Sequence, residues 1–529
     1  MANVLIADKL HEAGVDLLRN TPGIEVHVAN KPTPEELAEL IKDMDAVIVR
    51  SASQITEAIL EAGNKLSVVG RAGIGVDNID VPASSRRGVL VMNAPGGNSI
   101  TTAEHALSMM MSLARNIPQA THSMKSGRWE KSRFMGVELY EQTLGVIGLG
   151  NIGRLVAQRA LGLGMNVIAS DPYTSEQAAK KLGVELVSMD ALFQRSKFIT
   201  IHAPLTRDTK GLLNADAFAK MTPGVLLVHC ARGGIVDEAA LLDAIEKGIV
   251  AGAALDVFET EPPDPDHPLL KRDEIICTPH LGASTSEAQE KVAIEIVQGV
   301  SDYLLQGTVR NALNLPSVRG QVPDNIQPYL TLAGQLGRFQ AHALNGFTQV
   351  EIDYMGNAFD EMPGTQLVTN AVLKGLMSAV MDVPVNLVNA PILAKEQGLV
   401  VKESRANQSG IFTNLITVTL SNGKETCAAA ATLFHDGTPR LVRLDKMAIE
   451  APLQGELLLV RNDDEPGVIG HVGTLLGSRG INVARLHVGL NKSTAQAVAI
   501  WGVDQRLSDD VLNEIGALKH IRSVRSVAL

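Results

Sequence analysis

The stretch TLGVIGLGNIGRLVAQRALGLGMNVIASD (143–171) constrains this chain more than any other. A short apolar run leads into Gly148-Leu149-Gly150-Asn151-Ile152-Gly153, a helical pattern follows, and a second apolar run ends on Asp171. A G-x-G-x-x-G string alone arises by chance in a chain with 47 glycines. Set between a strand and a helix, with an acidic residue 18 positions after Gly153, it specifies the βαβ unit of a dinucleotide-binding sheet. Glycines allow a tight turn and close backbone approach to a pyrophosphate, which a helix N-terminus attracts. Asp171 is suited to accept hydrogen bonds from both hydroxyls of an adenine ribose. It repels a 2′-phosphate, so NAD is expected rather than NADP.

The rest of the chain is organised around this unit. VLIAD (4–8), IEVHVA (24–29), AVIVRSA (46–52) and LSVVGRAG (66–73) read as strands. PEELAELIK (34–42) reads as a helix with Thr33 as N-cap and Pro34 at its first position. Residues 99–116 and Thr285–Leu305 read as long helices, the second carrying the chain back to the first unit. Further strands are expected at FITIH (198–202), VLLVHCA (225–231), AGAALDVF (251–258) and IICTPH (275–280). The expected fold class is α/β, with two Rossmann-like, doubly wound parallel-sheet domains. The first is discontinuous, 1–97 plus 284–312, and the second, 98–283, binds NAD. Residues 317–452 read as an intervening α+β domain, with an allosteric role as its candidate function and strands at NLITVTL (414–420) and CAAAATLF (427–434). Residues 455–529 read β-α-β-β-α-β, a ferredoxin-like unit.

Composition removes several function classes. The formal net charge is −11 with no basic block, so no nucleic-acid partner is expected. No run of 18 apolar residues occurs, so no membrane association is expected. The opening MANVLIADKLHEAG lacks the pattern of a signal peptide. The three cysteines show neither disulfide nor metal-ligand spacing, so no metal is implied and a cytoplasmic location is expected. Cys230, Cys277 and Cys427 are expected to be packed residues.

Three segments lie at or beyond strand ends: CARGGIVDE (230–238), DVFETEPP (256–263) and TPHLGASTSEAQ (278–289). Ligands bind at the carboxyl ends of strands in open α/β sheets, so Arg232, Glu261 and His280 are placed to converge. With the Gly148–Gly153 turn, VRSAS (49–53), GRAGIGVDNID (70–80) and NAPGGNS (93–99), these segments resemble the D-isomer-specific 2-hydroxyacid dehydrogenases. The likeness runs nearly the whole length. It extends to the family's long-chain members, which add an intervening domain and a C-terminal ACT regulatory domain.

The resemblance implies NAD-dependent oxidation of D-3-phosphoglycerate to 3-phosphohydroxypyruvate, the first step of the phosphorylated route to L-serine. Arg232 would hold the substrate carboxylate and C2 oxygen, a pairing that suits a guanidinium fork. His280 would take the C2 hydroxyl proton, and Glu261 would orient His280 and favour its imidazolium form. The resemblance places Gly148, Gly150, Asn151, Ile152, Gly153, Asp171, Cys230, Ala231, Arg232, Asp256, His280, Leu281, Gly282 and Ala283 along the cofactor, with Asp256 at the nicotinamide amide. Arg50, Ser51, Arg71, Gly73 and Asn98 would bind substrate. Arg133, in a loop with Lys131, would reach a neighbouring subunit's cleft in a homotetramer. L-serine is the implied effector, bound at Asn462, Asp464 and Asn482; the alternative for Asp464 is the N-cap of the following helix. Lys402, Arg405, Arg440, Arg443 and Lys446 are candidates for an anion site or, equally, form a dispersed basic surface. Two other functions stay open: reduction of glyoxylate or hydroxypyruvate, or a non-catalytic, NAD(H)-sensing corepressor-like role.

Overall fold

A computed structural model describes residues 1–316, 326–344, 346–359, 365–406 and 411–529. The expected start of the intervening unit, at 317, lies outside them. The first sheet holds β1 (Ala2–Ile6), β2 (Ile24–Val28), β3 (Ala46–Val49), β4 (Val68–Arg71) and β5 (Leu90–Asn93), all parallel, in the order β2-β1-β3-β4-β5. β5 went unread in the sequence, although β3 and β4, of the same four-residue length, were read. The order reverses between β1 and β3, so their carboxyl ends border the crevice where ligands bind in such sheets.

The second sheet holds β6 (Thr143–Ile147), β7 (Asn166–Ser170), β8 (Glu185–Leu186), β9 (Phe198–Ile201), β10 (Val225–His229), β11 (Val250–Leu255) and β12 (Ile275–Cys277). It is also parallel, in the order β12-β11-β10-β9-β6-β7-β8. Helix Ser99–Ala114 buries Ala103, Leu107, Met110 and Leu113 against this sheet. Helix Ser286–Gln306 returns to the first sheet. Its Val292, Ala293, Ile296 and Val297 share a core with Val4, Ile48 and Leu90. Thr285 caps its start, accepting from the Ala288 amide at 3.2 Å, and Gly307 ends it with a left-handed φ of 69°. The apolar stripes of these two helices therefore decide which sheet each covers. The helix near residue 34 spans Pro34–Leu40, and Thr33 and Glu36 form its capping box.

The third sheet holds β13 (Gln349–Met355), β14 (Val400–Ala406), β15 (Leu415–Ser421), β16 (Thr426–Leu433), β17 (Pro439–Leu444) and β18 (Met447–Pro452). Its order is β14-β13-β15-β16-β17-β18, with only β13 and β14 parallel. β14 is exposed along its whole length, so an apolar pattern could not reveal it. β14 and β17 are four strand spacings apart, roughly 19 Å. Lys402 and Arg405 on β14 therefore cannot share one anion site with Arg440 and Arg443 on β17, and of the two readings the dispersed basic surface holds.

Helices Gln327–Ala343 and Gln366–Val380 cross closely beside this sheet. A Cβ on Gly375 would lie 2.1 Å from the Gly334 carbonyl oxygen. Gly375→Ala is expected to destabilise this unit by about 1–3 kcal/mol through overpacking. An unchanged urea midpoint would show that the helices separate freely.

The last sheet holds β19 (Glu456–Asp463), β20 (Val483–Asn491), β21 (Gln496–Val503) and β22 (Ile521–Ala528), ordered β20-β21-β19-β22. Alternation along β19 divides its work. Leu458 and Val460 pack on this unit's own helices, while Leu457 and Leu459 join the core of the third sheet with Val498, Ile500 and Val527. The two C-terminal units, read separately in the sequence, thus share one hydrophobic core.

Candidate active site

At the cofactor motif, Gly148 has φ 88°, and a Cβ on Gly153 would lie 2.0 Å from the Gly148 carbonyl oxygen. Gly150, by contrast, faces open space. No side chain caps helix Asn151–Gly162, so its first amides stay open to a phosphate beside exposed Asn151 and half-buried Ile152. Asp171 is fixed at the end of β7 by the amides of Leu149 at 2.6 Å, Tyr173 at 2.7 Å and Thr174 at 2.9 Å. These features fit a dinucleotide.

A cleft of about 580 Å³ opens where the carboxyl ends of the two sheets face each other. Its lining includes Arg50, Ser51, Arg71, Gly73 and Asn98 from one side, and Asp256, Glu261, His280 and Ala283 from the other. The sequence thus named nine residues of one cavity from segments more than two hundred positions apart.

His280 Nδ1 lies 2.6 Å from Glu261 Oε2, and Glu261 Oε1 accepts from the Phe258 amide at 3.1 Å. Burial opposes the Glu261 charge. The bond to His280, its charge and the Phe258 amide outweigh burial and hold the carboxyl below the usual range. The backbone of His280 is anchored to the Asp256 and Thr278 carbonyls. Asp256 is almost completely buried. It accepts from Thr278 Oγ1 at 2.5 Å, Leu281 N at 2.7 Å and Gly282 N at 2.8 Å, with His105 Nε2 at 3.2 Å. Burial raises its pKa, but those donors outweigh it and keep the carboxyl low. Asp256 here is the anchor of the turn that carries His280, a task the sequence did not announce. His105, Cys230 and Asp256 lie close enough to face one ion. Asp256 is nevertheless saturated with hydrogen bonds, and burial pushes the Cys230 thiol far up, so the group reads as a packed anchor.

Arg232 follows β10. Its Nε donates to Asp77 Oδ2, in the loop after β4, at 2.8 Å, and its Nη1 to the Ala231 carbonyl at 2.7 Å. His229 Nε2 lies 2.8 Å from the Arg232 carbonyl, and burial pushes the His229 pKa down to about 4, so the neutral ring acts as a donor. On the first sheet, buried Asp8 accepts from the amides of Arg50, Ala52 and Ser53, fixing the loop that carries Arg50 and Ser51. Asn78 Nδ2 closes that loop from below, on the Arg50 and Ser53 carbonyls. The Arg71 pKa is pushed down to about 10 by burial and then by the neighbouring Arg232 and Arg50 charges. Its buried Nε has no hydrogen-bond partner among the described residues, and neither does Asn98 Oδ1. Arg50 and Arg71 line the cleft, and Arg232, outside its lining but close enough to act on the Arg71 charge, joins them in a strong anion site.

Other expected residues stand elsewhere. Arg133 pairs with Asp273 at 3.0 Å and Glu130 at 3.5 Å, outside this chain's own cleft. Cys277, expected in a core, is exposed and lines the cleft because β12 is the sheet's edge strand. Cys427 is buried. Asn462 is buried with its Nδ2 on the Asp463 carbonyl, while Asp464 and Asn482 are exposed. Helix Val468–Ser478 has Gly467 at its N-cap and no side-chain cap, so Asp464 does not cap it. The residues the sequence missed are Asp8, Asp77, Asn78, His105 and His229. Only Asp77 and Asn78 sat inside a motif already singled out.

Residues 107–282 match the family model described as D-isomer specific 2-hydroxyacid dehydrogenase, NAD binding domain. Residues 325–445 match the model described as D-3-phosphoglycerate dehydrogenase intervening domain. The chain is 41% identical to a D-3-phosphoglycerate dehydrogenase of Archaeoglobus fulgidus, covering 99% of this chain and 100% of that one. It is 40% identical to the enzyme of that name from Bacillus subtilis, covering both chains in full. Among solved structures, Escherichia coli D-lactate dehydrogenase superposes with a TM-score of 0.53 at 29% identity, over 59% of this chain and 100% of that one. A Staphylococcus aureus NAD-dependent formate dehydrogenase in complex with NAD gives 0.52 at 29% identity, over 58% and 96%. No helix among the described residues is long and apolar enough to cross a membrane.

Proposed function

The chain belongs to the D-3-phosphoglycerate dehydrogenases, a branch of the D-isomer-specific 2-hydroxyacid dehydrogenases, and from that membership we propose how its cleft works. It is an NAD-dependent oxidoreductase that converts D-3-phosphoglycerate to 3-phosphohydroxypyruvate, the first step of the phosphorylated route to L-serine. NAD, when bound, supplies the hydride acceptor. The open amides at 150–153 and the carboxylate of Asp171 would hold its pyrophosphate and adenine ribose. Ala231, Leu281 and Gly282 would line its far end.

His280 accepts the C2 hydroxyl proton on its Nε2 in oxidation and returns it in reduction, while Glu261 fixes the ring through Nδ1. Arg232 grips the C1 carboxylate and the C2 oxygen. Arg50 and Arg71 receive the 3-phosphate, with Ser51, Gly73 and Asn98 beside them. The observation that carries this reading is the single cleft that holds both the His280–Glu261 pair and surplus guanidinium charge. A plain hydroxyacid has one anionic group, and three cations exceed its need.

Around this centre, Arg133 would complete a neighbouring subunit's cleft in a homotetramer. The units 1–97 with 284–312, 98–283, 317–452 and 455–529 would act as substrate, cofactor, intervening and ACT domains in a cytoplasmic enzyme. L-serine would bind near Asp464 and Asn482, and their exposure supports that placement.

The test is NADH consumption with 3-phosphohydroxypyruvate beside hydroxypyruvate, with and without L-serine. Preference for the phosphorylated acid on the order of 100-fold in kcat/KM is expected, since charge-assisted bonds are worth about 1.5–3 kcal/mol each. Serine is expected to suppress the rate. Equal use of both acids would remove Arg50 and Arg71 from phosphate recognition. A rate indifferent to serine would remove the effector assignment and leave the enzyme.

A further inference from the structure

Arg232 crosses from the second sheet to the loop after β4, and this loop is built to receive it. A Cβ on Gly75 would lie 1.8 Å from Arg232 Nη2 and 2.7 Å from its Cζ, so the guanidinium rests directly on backbone. The neighbouring glycine does the same for a second cation: a Cβ on Gly73 would lie 1.5 Å from Arg71 Nη1. Asp77, two residues beyond Gly75, reaches back to Arg232 Nε at 2.8 Å. Its charge also supports that of Arg71. One five-residue loop therefore seats two guanidinia and supplies a carboxylate between them.

A guanidinium carries five N–H donors in a fixed plane. Asp77 takes the Nε–H and the Ala231 carbonyl takes one Nη1–H. With both used, the fork can no longer rotate, and its remaining edge is left for another acceptor. We propose that Asp77 is a positioning residue for the Arg232 carboxylate clamp, locking the fork from the opposite lobe of the cleft. Asp77 and Arg232 are 155 residues apart and sit in loops that follow strands of different sheets. The clamp is thus assembled only when the two lobes stand as they do here. The inference rests on Arg232 being the residue that grips the substrate's carboxylate.

The test uses the full-length enzyme and the variants Asp77→Ala and Asp77→Asn. KM and kcat are measured with 3-phosphohydroxypyruvate and with hydroxypyruvate, which keeps the carboxylate and lacks the phosphate. NADH affinity and the melting temperature are measured alongside. Asp77→Ala is expected to raise KM by about tenfold or more for both acids and by the same factor, with a lower kcat. NADH affinity should stay within about twofold, because the cofactor turn at 148–153 is untouched. Asp77→Asn keeps an acceptor oxygen for Nε and is expected to recover most of the loss.

An unchanged KM for both acids in Asp77→Ala would overturn the proposal. A loss confined to the phosphorylated acid would also overturn it, placing Asp77 with Arg71 instead. A lower melting temperature with kinetics intact would reduce Asp77 to a structural ion pair. The parent reading is judged on the wild type: an unaltered enzyme inert toward both acids sinks the dehydrogenase assignment and this inference with it, whereas an active wild type with unchanged Asp77→Ala kinetics sinks this inference alone.

Discussion

Replacing His280 by alanine is expected to lower kcat for keto acid reduction by about 10²–10⁴-fold, the range lost when a positioned acid–base group is removed. NADH should still bind with nearly wild-type affinity, because the helix amides at the Gly148–Gly153 turn do not depend on the imidazole. Wild-type turnover in this variant would remove His280 from the proton path. The partner variant Glu261→Gln separates orientation from charge: it keeps an oxygen for His280 Nδ1 but loses the carboxylate, and a drop smaller than that of His280→Ala is expected. The pH behaviour follows from Glu261. Its folded pKa lies below the ordinary carboxylate value, so the stability it contributes is fully present above that ordinary value. This contribution is lost only as pH falls through the lowered one. The Glu261–His280 pair should therefore persist throughout the neutral range and weaken on the acid side.

Replacing Arg232 by lysine is expected to reduce kcat/KM by about 10²–10³-fold while conserving charge. Lysine is a point charge on a flexible stem. It can reproduce neither the bond to Asp77 nor the planar edge that matches a carboxylate and a carbonyl oxygen together. Two charge-assisted bonds at about 1.5–3 kcal/mol each account for the factor. The loss should fall on phosphorylated and unphosphorylated keto acids alike, which distinguishes Arg232 from Arg71. Arg71→Lys should harm only the phosphorylated one. A kcat/KM within threefold of wild type for Arg232→Lys would mean that charge alone suffices and that the fork has no role.

Both variants concern residues named from the sequence, through resemblance to a family more than through local spacing. Each sits in a short segment at a strand's carboxyl end, where an apolar run stops and a charged residue follows. The same holds for Arg50 after β3 and Arg71 at the end of β4. Strands buried on both faces announce themselves by composition, and the Gly148–Gly153 turn by steric need. Elements lacking those signals were missed. β14, polar and exposed, is one; β19 was read as a strand, but the division of its faces between two cores was not.

What holds the site together was not legible. Asp8 lies 42 residues from Arg50, whose amide it binds, and Asp77 lies 155 residues from Arg232. Before folding each is one of 58 acidic residues with no mark of its own. Cys277 shows the same limit from the other side: its apolar run predicted burial, but the strand order puts β12 at an edge and opens the thiol to the cleft. The sequence by itself determined the βαβ cofactor turn, the two parallel sheets and the C-terminal βαββαβ unit. Periodicity, steric demand and charge act over a few residues and leave a readable trace there. Tertiary structure alone decided which carboxylate restrains which guanidinium, how far each charge is desolvated, and which face of each strand is shared. Those depend on strand order and on two lobes meeting, which no local stretch of chain encodes.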